Sequence, residues 1–425
     1  MISVVILTGG EGSRVSQLTA GKSKSEIIIK KNTSIIELQL DLLIKLKKVI
    51  YILSNYTFSS LKIVIKKYRK QRIKIIDEEL RRGTAGCLKV LETKKSSAFL
   101  IIAGDLVFNM CFNKFIKFHL KKKSDCTLVV HPNNHPQDSD LVEVDKNSKV
   151  VSFYSKFSKR KNIRNLCLSG IFIINKDILK IIKKNKFQDF SKDILPLMIK
   201  KKMKIYAYIT REYIKDAGTP KRIVQVQSEL KSLKYKLGNI NKKIPAIFLD
   251  KDGVINKDNY NFKYQNIKNI LTGVFKGIKK INQSGFLCIL VTNQPAVAKG
   301  FVSLDKLKKD LDYLEYKLGF NSCYFDRIYF CPCHPEKGFV NEVKKFKRDC
   351  SWRKPDNGMF LQANLDLNID FKKSYMIGDT YNDYFAAKKT GIKFVAVGKV
   401  IKNKHIVNKN NLYGAVSYIL KNKSL

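Results

Sequence analysis

The stretch Ala246-Ile-Phe-Leu249 followed by Asp250-Lys-Asp-Gly253 constrains this chain more than any other. A short apolar run bounded by charge and Gly reads as a buried parallel strand. In an open parallel sheet, ligands bind beyond the carboxyl ends of the strands. Asp250 and Asp252, placed at such an end and followed by Gly253, suit a nucleophile and an acid/base partner. Three more elements follow in order. Cys288-Ile-Leu-Val-Thr-Asn-Gln294 is a second apolar strand, with Thr292 placed to hydrogen-bond a phosphate. Arg353-Lys354-Pro355 offers Lys354 to neutralise a phosphate and a nucleophile. Tyr375-Met-Ile-Gly-Asp-Thr-Tyr-Asn-Asp383 is a strand end carrying Asp379 and Asp383 for a hard cation. Groups so far apart along the chain converge only if their strands lie side by side. An α/β fold with a doubly wound parallel sheet is therefore expected for the C-terminal half.

These four segments, in this order, resemble the haloacid dehalogenase phosphatases, and their wording is similar to the capless sugar-bisphosphatase branch. The resemblance spans roughly residues 243–425. It implies that Asp250 attacks phosphorus and forms an aspartyl-phosphate, splitting one hard step into two. Asp252 then protonates the leaving oxygen and later deprotonates water. It implies Mg²⁺ held by Asp250, Asp379 and the backbone carbonyl of Asp252, with Lys354 and Thr292 offsetting the charge of the transferring group. Asp383 stands open between metal ligand and support for the loop.

The first half carries its own signals. Met1-Ile-Ser-Val-Val-Ile-Leu7 is an apolar run leading into Thr8-Gly-Gly-Glu-Gly-Ser-Arg14. Glycines at a strand-to-loop turn let backbone N–H groups approach a phosphate or base closely. Arg14 and Lys24 add positive charge, and Gly83-Thr-Ala-Gly86 is a second turn suited to a nucleobase or sugar. Phe99-Leu-Ile-Ile-Ala-Gly-Asp105 is a buried strand ending in a carboxylate, and Asp216-Ala-Gly-Thr-Pro220 supplies another before a turn. Together they resemble the sugar-1-phosphate nucleotidyltransferases over roughly residues 1–230, with a Rossmann-like mixed sheet. That resemblance implies Gly9, Gly10, Gly12, Arg14 and Gly83 around a nucleoside triphosphate, Lys24 on its phosphates, and Asp105 and Asp216 on Mg²⁺. Catalysis would then come from positioning and charge neutralisation, without a covalent enzyme intermediate. Ser23-Lys24-Ser25 departs from the Pro-Lys-Pro of that family and loses two rigid φ angles around the lysine. Leu168-Ser-Gly170 departs from its Asn-Ala-Gly.

A chain of 425 residues, 44% hydrophobic, suits two packed domains, expected at 1–232 and 243–425 with a linker over 231–243. Thr219 to Leu233 reads as a helix. The net charge is +46, from 82 Lys and Arg against 36 Asp and Glu. The lysines are spread over the chain beside many Ile and Asn, the mixture an AT-rich genome produces, so no specific nucleic-acid partner is expected. Small anionic substrates gain from such a field. No apolar run suits a transmembrane helix, and the N-terminal run lacks the basic flank of a signal peptide. The reading is a cytoplasmic protein with no membrane partner. Its nine cysteines are then reduced.

Cys331-Pro-Cys333-His334 with the distant Cys350 has metal-like spacing. In the capless bisphosphatases a Cys-x-His…Cys-x-Cys set binds a structural zinc. The resemblance maps Cys331, Cys333 and Cys350 onto ligands, and Trp352 onto the fourth. His334 or water completing the site, and a zinc-free loop packed by Trp352, all stay open. Removing the distal phosphate of a sugar bisphosphate yields the sugar 1-phosphate a transferase activates. The first domain is similar to heptose 1-phosphate guanylyltransferases and the His334-Pro-Glu-Lys-Gly-Phe339 loop resembles heptose bisphosphatases, which implies a heptose 1,7-bisphosphate 7-phosphatase joined to a heptose 1-phosphate nucleotidyltransferase, GTP-using, serving surface polysaccharide synthesis. The alternatives are a phosphatase for another metabolite such as histidinol phosphate, or a scaffold with an inactive transferase domain. The sequence leaves the oligomeric state open.

Overall fold

The computed structural model describes residues 1–9, 23–54, 58–78, 81–158, 163–257, 269–398 and 401–422, with 58–60 described as backbone only. Gly10, Gly12 and Arg14 lie outside these residues. The chain divides into two compact units. One comprises Met1–His131, Ser139–Ser158 and Leu166–Asn239; the other comprises Pro132–Asp138, Lys159–Asn165 and Ile240–Leu425.

Besides a small ribbon of Ile28–Lys30 and Thr33–Ser34, the strands of the first unit are β1 (Ile2–Leu7), β2 (Ile50–Ser54), β3 (Ile73–Asp77), β4 (Ala98–Ala103), β5 (Leu106–Asn109), β6 (Cys126–His131), β7 (Leu141–Val144), β8 (Val150–Tyr154), β9 (Cys167–Asn175), β10 (Ile205–Ile209) and β11 (Tyr213–Asp216). Among the described residues nine of them form one mixed sheet in the order β8-β7-β9-β4-β1-β2-β3, with β6 paired to β9 and β10. The stretch β4-β1-β2-β3 is parallel, and β9 joins β4 antiparallel. β1 and β4 read as unbroken apolar runs because they are covered on both faces. Val5, Phe99 and Ile101 pack on one side, Val4, Ile6, Leu100 and Ile102 on the other.

Register then aligns the strand ends. Leu7 stands opposite Ala103 and Leu53, so Thr8-Gly9, Gly104-Asp105 and Ser54 leave the sheet along one edge. β11 pairs antiparallel with β5, setting Asp216 opposite Leu106, and the Ala217 N–H donates to the Asp105 carbonyl at 2.8 Å. Thr219 caps the next helix, Pro220–Glu229, accepting from the Arg222 N–H. That helix ends four residues earlier than the 219–233 pattern predicts. A separate short helix, Leu233–Lys236, follows. It is docked on the first unit, where the Asn109 amide donates to the Tyr235 carbonyl at 2.8 Å and Arg211 to that of Leu237 at 2.9 Å. The early part of the expected linker is thus fixed structure.

The second unit has β12 (Ala246–Leu249), β13 (Leu287–Asn293), β14 (Arg327–Cys331), β15 (Tyr375–Gly378), β16 (Lys393–Val397) and β17 (Val407–Lys409). All pair in parallel, in the order β14-β13-β12-β15-β16-β17. The helices Val274–Ser284 and Leu412–Lys421 bury Ile278, Ile281, Val416 and Ile419 in the core with Ile247, Leu249 and Leu290. The central position of β12, with β13 and β15 beside it, puts Asp250, Thr292 and Asp379 at neighbouring strand ends. The expected fold class therefore holds for both halves, one mixed sheet and one doubly wound parallel sheet.

Candidate active sites

At the edge of the parallel sheet, Asp250 is held in line when its N–H donates to the Ile377 carbonyl at 3.0 Å. Lys354 is buried and donates to Asp250 Oδ1 at 2.6 Å, to Asp383 Oδ1 at 2.6 Å and to the Val291 carbonyl at 3.0 Å. Its backbone is fixed reciprocally by Asn293: the Lys354 N–H donates to Asn293 Oδ1, and Asn293 Nδ2 donates to the Lys354 carbonyl. Burial pushes the Asp250 carboxyl up, and the Lys354 ammonium opposes it. Lys354 is held protonated by Asp250 and Asp383 despite its burial. The ammonium is placed to balance charge on the nucleophile and on whatever the nucleophile attacks.

Asp252 is oriented from both sides. Its Oδ1 accepts from Lys251 Nζ at 2.7 Å and from Asn256 Nδ2 at 2.8 Å, and its Oδ2 accepts from Gln294 Nε2 at 3.0 Å. The same Gln294 amide donates to Thr292 Oγ1 at 3.0 Å, and the Thr292 hydroxyl makes only a long donor contact of 3.5 Å to the Asn293 carbonyl, which a better acceptor can replace. Sequence reasoning quoted Gln294 and Lys251 inside motifs and gave no task to them or to Asn256. The only signal was their adjacency to Asp252 and Thr292. Lys354 thus meets Asp250 directly, and Asp252 and Thr292 share Gln294.

Carboxylate oxygens of Asp250, Asp379 and Asp383 lie within 4.8 Å of one another. That spacing fits a Mg²⁺ whose oxygen bonds are about 2.1 Å long. Asp383, however, spends Oδ1 on Lys354 and Oδ2 on the Thr380 hydroxyl and N–H, closing the capping box of the helix Tyr381–Thr390. It thus contacts both the loop and Lys354, while its carboxylate also belongs to the group that could hold a metal ion. Gly253 has φ +82°, and a Cβ there would stand 2.0 Å from Asp379 Oδ2. The glycine lets Asp379 reach the strand end.

The sulfurs of Cys331, Cys333 and Cys350 also converge within 4.8 Å. Thiolates at about 2.3 Å from a zinc ion fit within that limit. Burial pushes the Cys331 thiol up to about 12, while a backbone N–H at Trp352 and the neighbouring thiols, opposing burial, bring Cys350 down. His334 does not join the sulfurs. Its Nδ1 accepts from the Glu336 N–H at 3.2 Å, and its Nε2 lies 3.7 Å from Glu336 Oε2. Trp352 packs edge-on against Tyr329, ring centroids 6.3 Å apart.

In the first unit, the Gly218 turn is flanked by both acids. A Cβ at Gly218 would stand 3.2 Å from Asp216 Oδ1 and 3.7 Å from Asp105 Oδ2. Burial raises the Asp105 carboxyl, and so does the charge of Asp216, with Lys24 and Arg222 opposing. A buried carboxylate whose ionisation is opposed by a neighbouring carboxylate suits a divalent cation. Arg222 sits on Asp216 Oδ1 at 2.7 Å, a partner the motif did not reveal.

Lys24 is held by an unexpected device. Ser23 has φ −66°, close to the angle proline would impose, and it caps the turn Lys24–Glu26 with Glu26 returning the bond. Ser23 Oγ donates to the Thr8 carbonyl at 2.8 Å, tying the lysine to the end of β1. Gly83 differs from expectation in its partner. Its φ is +72°, and a Cβ would stand 2.5 Å from the Gln188 carbonyl oxygen. The Ala85 N–H donates to that same oxygen at 2.9 Å. The close backbone approach that requires glycine here is to the protein's own chain. Gly9 leaves β1 beside Gly104, whose N–H donates to the Leu7 carbonyl.

Known proteins resemble each half. Residues 3–232 match the nucleotidyl transferase family, and residues 351–417 match the HAD-hydrolase-like family. The D-glycero-beta-D-manno-heptose-1,7-bisphosphate 7-phosphatase of Vibrio cholerae serotype O1 is 38% identical over 148 residues, 35% of this chain and 77% of the relative. That of Haemophilus ducreyi is 35% identical over 182 residues, 41% of this chain and 97% of the relative. The crystal structure of HddC from Yersinia pseudotuberculosis aligns with 54% of this chain and 100% of its own, at 24% identity and a TM-score of 0.46.

Proposed function

Since the chain belongs to the nucleotidyl transferase family and, in its C-terminal half, to the D-glycero-beta-D-manno-heptose-1,7-bisphosphate 7-phosphatase family, we propose that it carries out two consecutive steps on one sugar. The chain is a phosphomonoester hydrolase and a nucleotidyltransferase, and it serves heptose metabolism. In our reading, residues 243–425 remove the 7-phosphate of D-glycero-D-manno-heptose 1,7-bisphosphate. Residues 1–232 then transfer GMP from GTP to the heptose 1-phosphate, for surface polysaccharide synthesis in the cytoplasm. Among the described residues, no helix is long and apolar enough to cross a membrane.

The observation that carries the phosphatase reading is Lys354 joining Asp250 and Asp383, with Gln294 joining Asp252 and Thr292. Asp250 Oδ2 attacks phosphorus while Lys354 balances the charge on Oδ1. The sugar oxygen leaves with a proton from Asp252, and the aspartyl-phosphate is opened by water that Asp252 deprotonates. Thr292 donates its hydroxyl proton to a phosphoryl oxygen. Mg²⁺ on Asp250, Asp379 and the Asp252 carbonyl would supply further neutralisation of phosphoryl charge. In the transferase, Gly9, Gly10, Gly12, Arg14, Lys24 and Gly83 would hold the nucleotide, and Asp105 and Asp216 would hold Mg²⁺ to neutralise charge on its phosphates.

The base is read as guanine partly from Glu78, which follows β3. It is buried, burial raises its carboxyl to about 7, and its Oε1 has no hydrogen-bond partner among the described residues. A carboxylate suits a base edge that offers two adjacent N–H donors. Zinc on Cys331, Cys333 and Cys350 would tie down the loop before Lys354, and elemental analysis after zinc-replete expression reads it directly. Protein free of zinc would remove that assignment alone. The test of the function is Asp250→Asn, whose amide cannot form the aspartyl-phosphate. It should lose phosphate release from the bisphosphate and keep nucleotide transfer to supplied heptose 1-phosphate. A folded variant silent in both reactions would defeat the two-site reading.

A further inference from the structure

Lys251 stands between Asp250 and Asp252 in the chain, and the reaction described above gives its side chain no task. It lies in the turn that leaves β12 and is 1% exposed. A lysine is rarely buried so fully, because an ammonium out of water is costly unless it is paired and hydrogen-bonded. Its Nζ lies 2.7 Å from Asp252 Oδ1, and the Asp252 side chain is 23% exposed, so the lysine reaches it from the interior. The turn itself sets this up. The Lys251 carbonyl accepts from the Ile255 N–H at 2.8 Å and from the Asn256 N–H at 3.1 Å, and the Gly253 N–H donates to the Asn256 carbonyl at 2.8 Å. Asn256, itself buried, is thereby returned to Asp252, and its Nδ2 donates to the same Oδ1 at 2.8 Å.

The two oxygens of Asp252 are therefore not equivalent. A carboxylate oxygen offers two lone pairs. On Oδ1 both meet donors, one from Lys251 and one from Asn256. Oδ2 accepts from Gln294 Nε2 at 3.0 Å and keeps a lone pair free. A proton is carried only where a lone pair is free. Neither neighbour of Oδ1 gives way to one. An ammonium has no acceptor. The Asn256 amide is held the same way round by its second bond, from Nδ2 to the Lys257 carbonyl at 3.1 Å.

We infer that Lys251 and Asn256 assign the acid proton of Asp252 to Oδ2, the oxygen that shares Gln294 with Thr292. Both are positioning residues that act through Asp252. The inference rests on the phosphatase reading above and concerns one step of it. The bond from Asp250 Oδ2 to phosphorus forms and the bond from phosphorus to the sugar oxygen breaks. The proton moves from Asp252 Oδ2 to that oxygen, and Asp252 is left as the carboxylate whose Oδ1 the two donors already serve. With either donor removed, Oδ1 competes for the proton, and a proton held there faces the interior, away from the leaving oxygen.

The test compares two kinds of leaving group in the full chain. A sugar alkoxide needs a proton as it leaves, and p-nitrophenolate does not. kcat/KM covers the steps up to loss of the first product, so hydrolysis of the aspartyl-phosphate does not enter it. Lys251→Met keeps the apolar stem and removes the ammonium. For heptose 1,7-bisphosphate its kcat/KM should fall by about tenfold or more, a part of what general acid catalysis supplies. For p-nitrophenyl phosphate, or acetyl phosphate if the ring is not accepted, kcat/KM should change little. Asn256→Ala should show the same selective loss, and it carries the test if Lys251→Met does not fold. In an Asp252→Asn background there is no proton to assign. Adding Lys251→Met there should cost the sugar substrate nothing more, and a further loss would count against the inference. An equal fall for both leaving groups, or no fall for either, would overturn it and leave the phosphatase reading standing. A wild type that hydrolyses none of these phosphates would remove that reading, and the inference with it.

Discussion

Lys354 concentrates the physics of the second site. It is buried between Asp250 and Asp383, and each contact is 2.6 Å long. Removing one partner of such a cluster leaves charge buried without compensation, which costs about 3–5 kcal/mol. Lys354→Met should therefore lose phosphatase activity and also lower the unfolding free energy of the C-terminal unit, read by denaturant titration, by an amount in that range. Adding Asp383→Asn should recover part of the stability and none of the activity, because one uncompensated carboxylate is gone while the nucleophile still lacks its cation. Equal stability of wild type and Lys354→Met would mean that the cluster is not the closed network described here. Gln294 is the complementary case: an uncharged side chain that sets which way the Thr292 proton points and which way Asp252 faces.

Among the elements, the turn Lys24–Glu26 shows how a departure from a family pattern can keep its geometry. Ser23 reaches a proline-like φ of −66° by capping, with its hydroxyl on the Thr8 carbonyl. Ser23→Ala loses the cap, worth about 1 kcal/mol. It should raise KM for the nucleoside triphosphate about fivefold if that loss is felt by Lys24. Ser23→Pro restores the angle covalently and should stay closer to wild type. Alanine and proline variants with the same KM would show that the cap does not position Lys24. The sheets themselves were legible from sequence, because buried parallel strands write unbroken apolar runs and their polar ends mark the site. Asp250, Asp252, Thr292 and Asp379 stood at or just past such ends, and Lys354 stood in the Arg-Lys-Pro segment of a loop. Gln294, Asn256 and Arg222 were not legible, because their contacts depend on how loops return, and no periodicity records that. The backbone crossing at Gln188 that requires glycine at position 83 was not legible either. Helix length failed for a similar reason: Pro220–Glu229 stops early because the following residues dock on Asn109 and Arg211.

For the molecule as a whole, two separate sheets each present a strand-end site, and their proposed chemistries share one intermediate. The field of +46 draws anionic sugars and nucleotides toward both. It does not choose between them, so ordering must come from the sites. The Asp105–Asp216 site has Lys24 and Arg222 as its acidic pair's neighbours. We see no second cation cluster there, among the described residues, to receive a distal phosphate. Burying that phosphate without a partner would be costly. The most direct measurement is mass analysis of products after incubating the full chain with GTP, Mg²⁺ and heptose 1,7-bisphosphate. The wild type should give GDP-heptose. Asp250→Asn should give none until heptose 1-phosphate is added, and then give the same product. A nucleotide-heptose that still carries the 7-phosphate, formed efficiently by either protein, would contradict the order of the two steps.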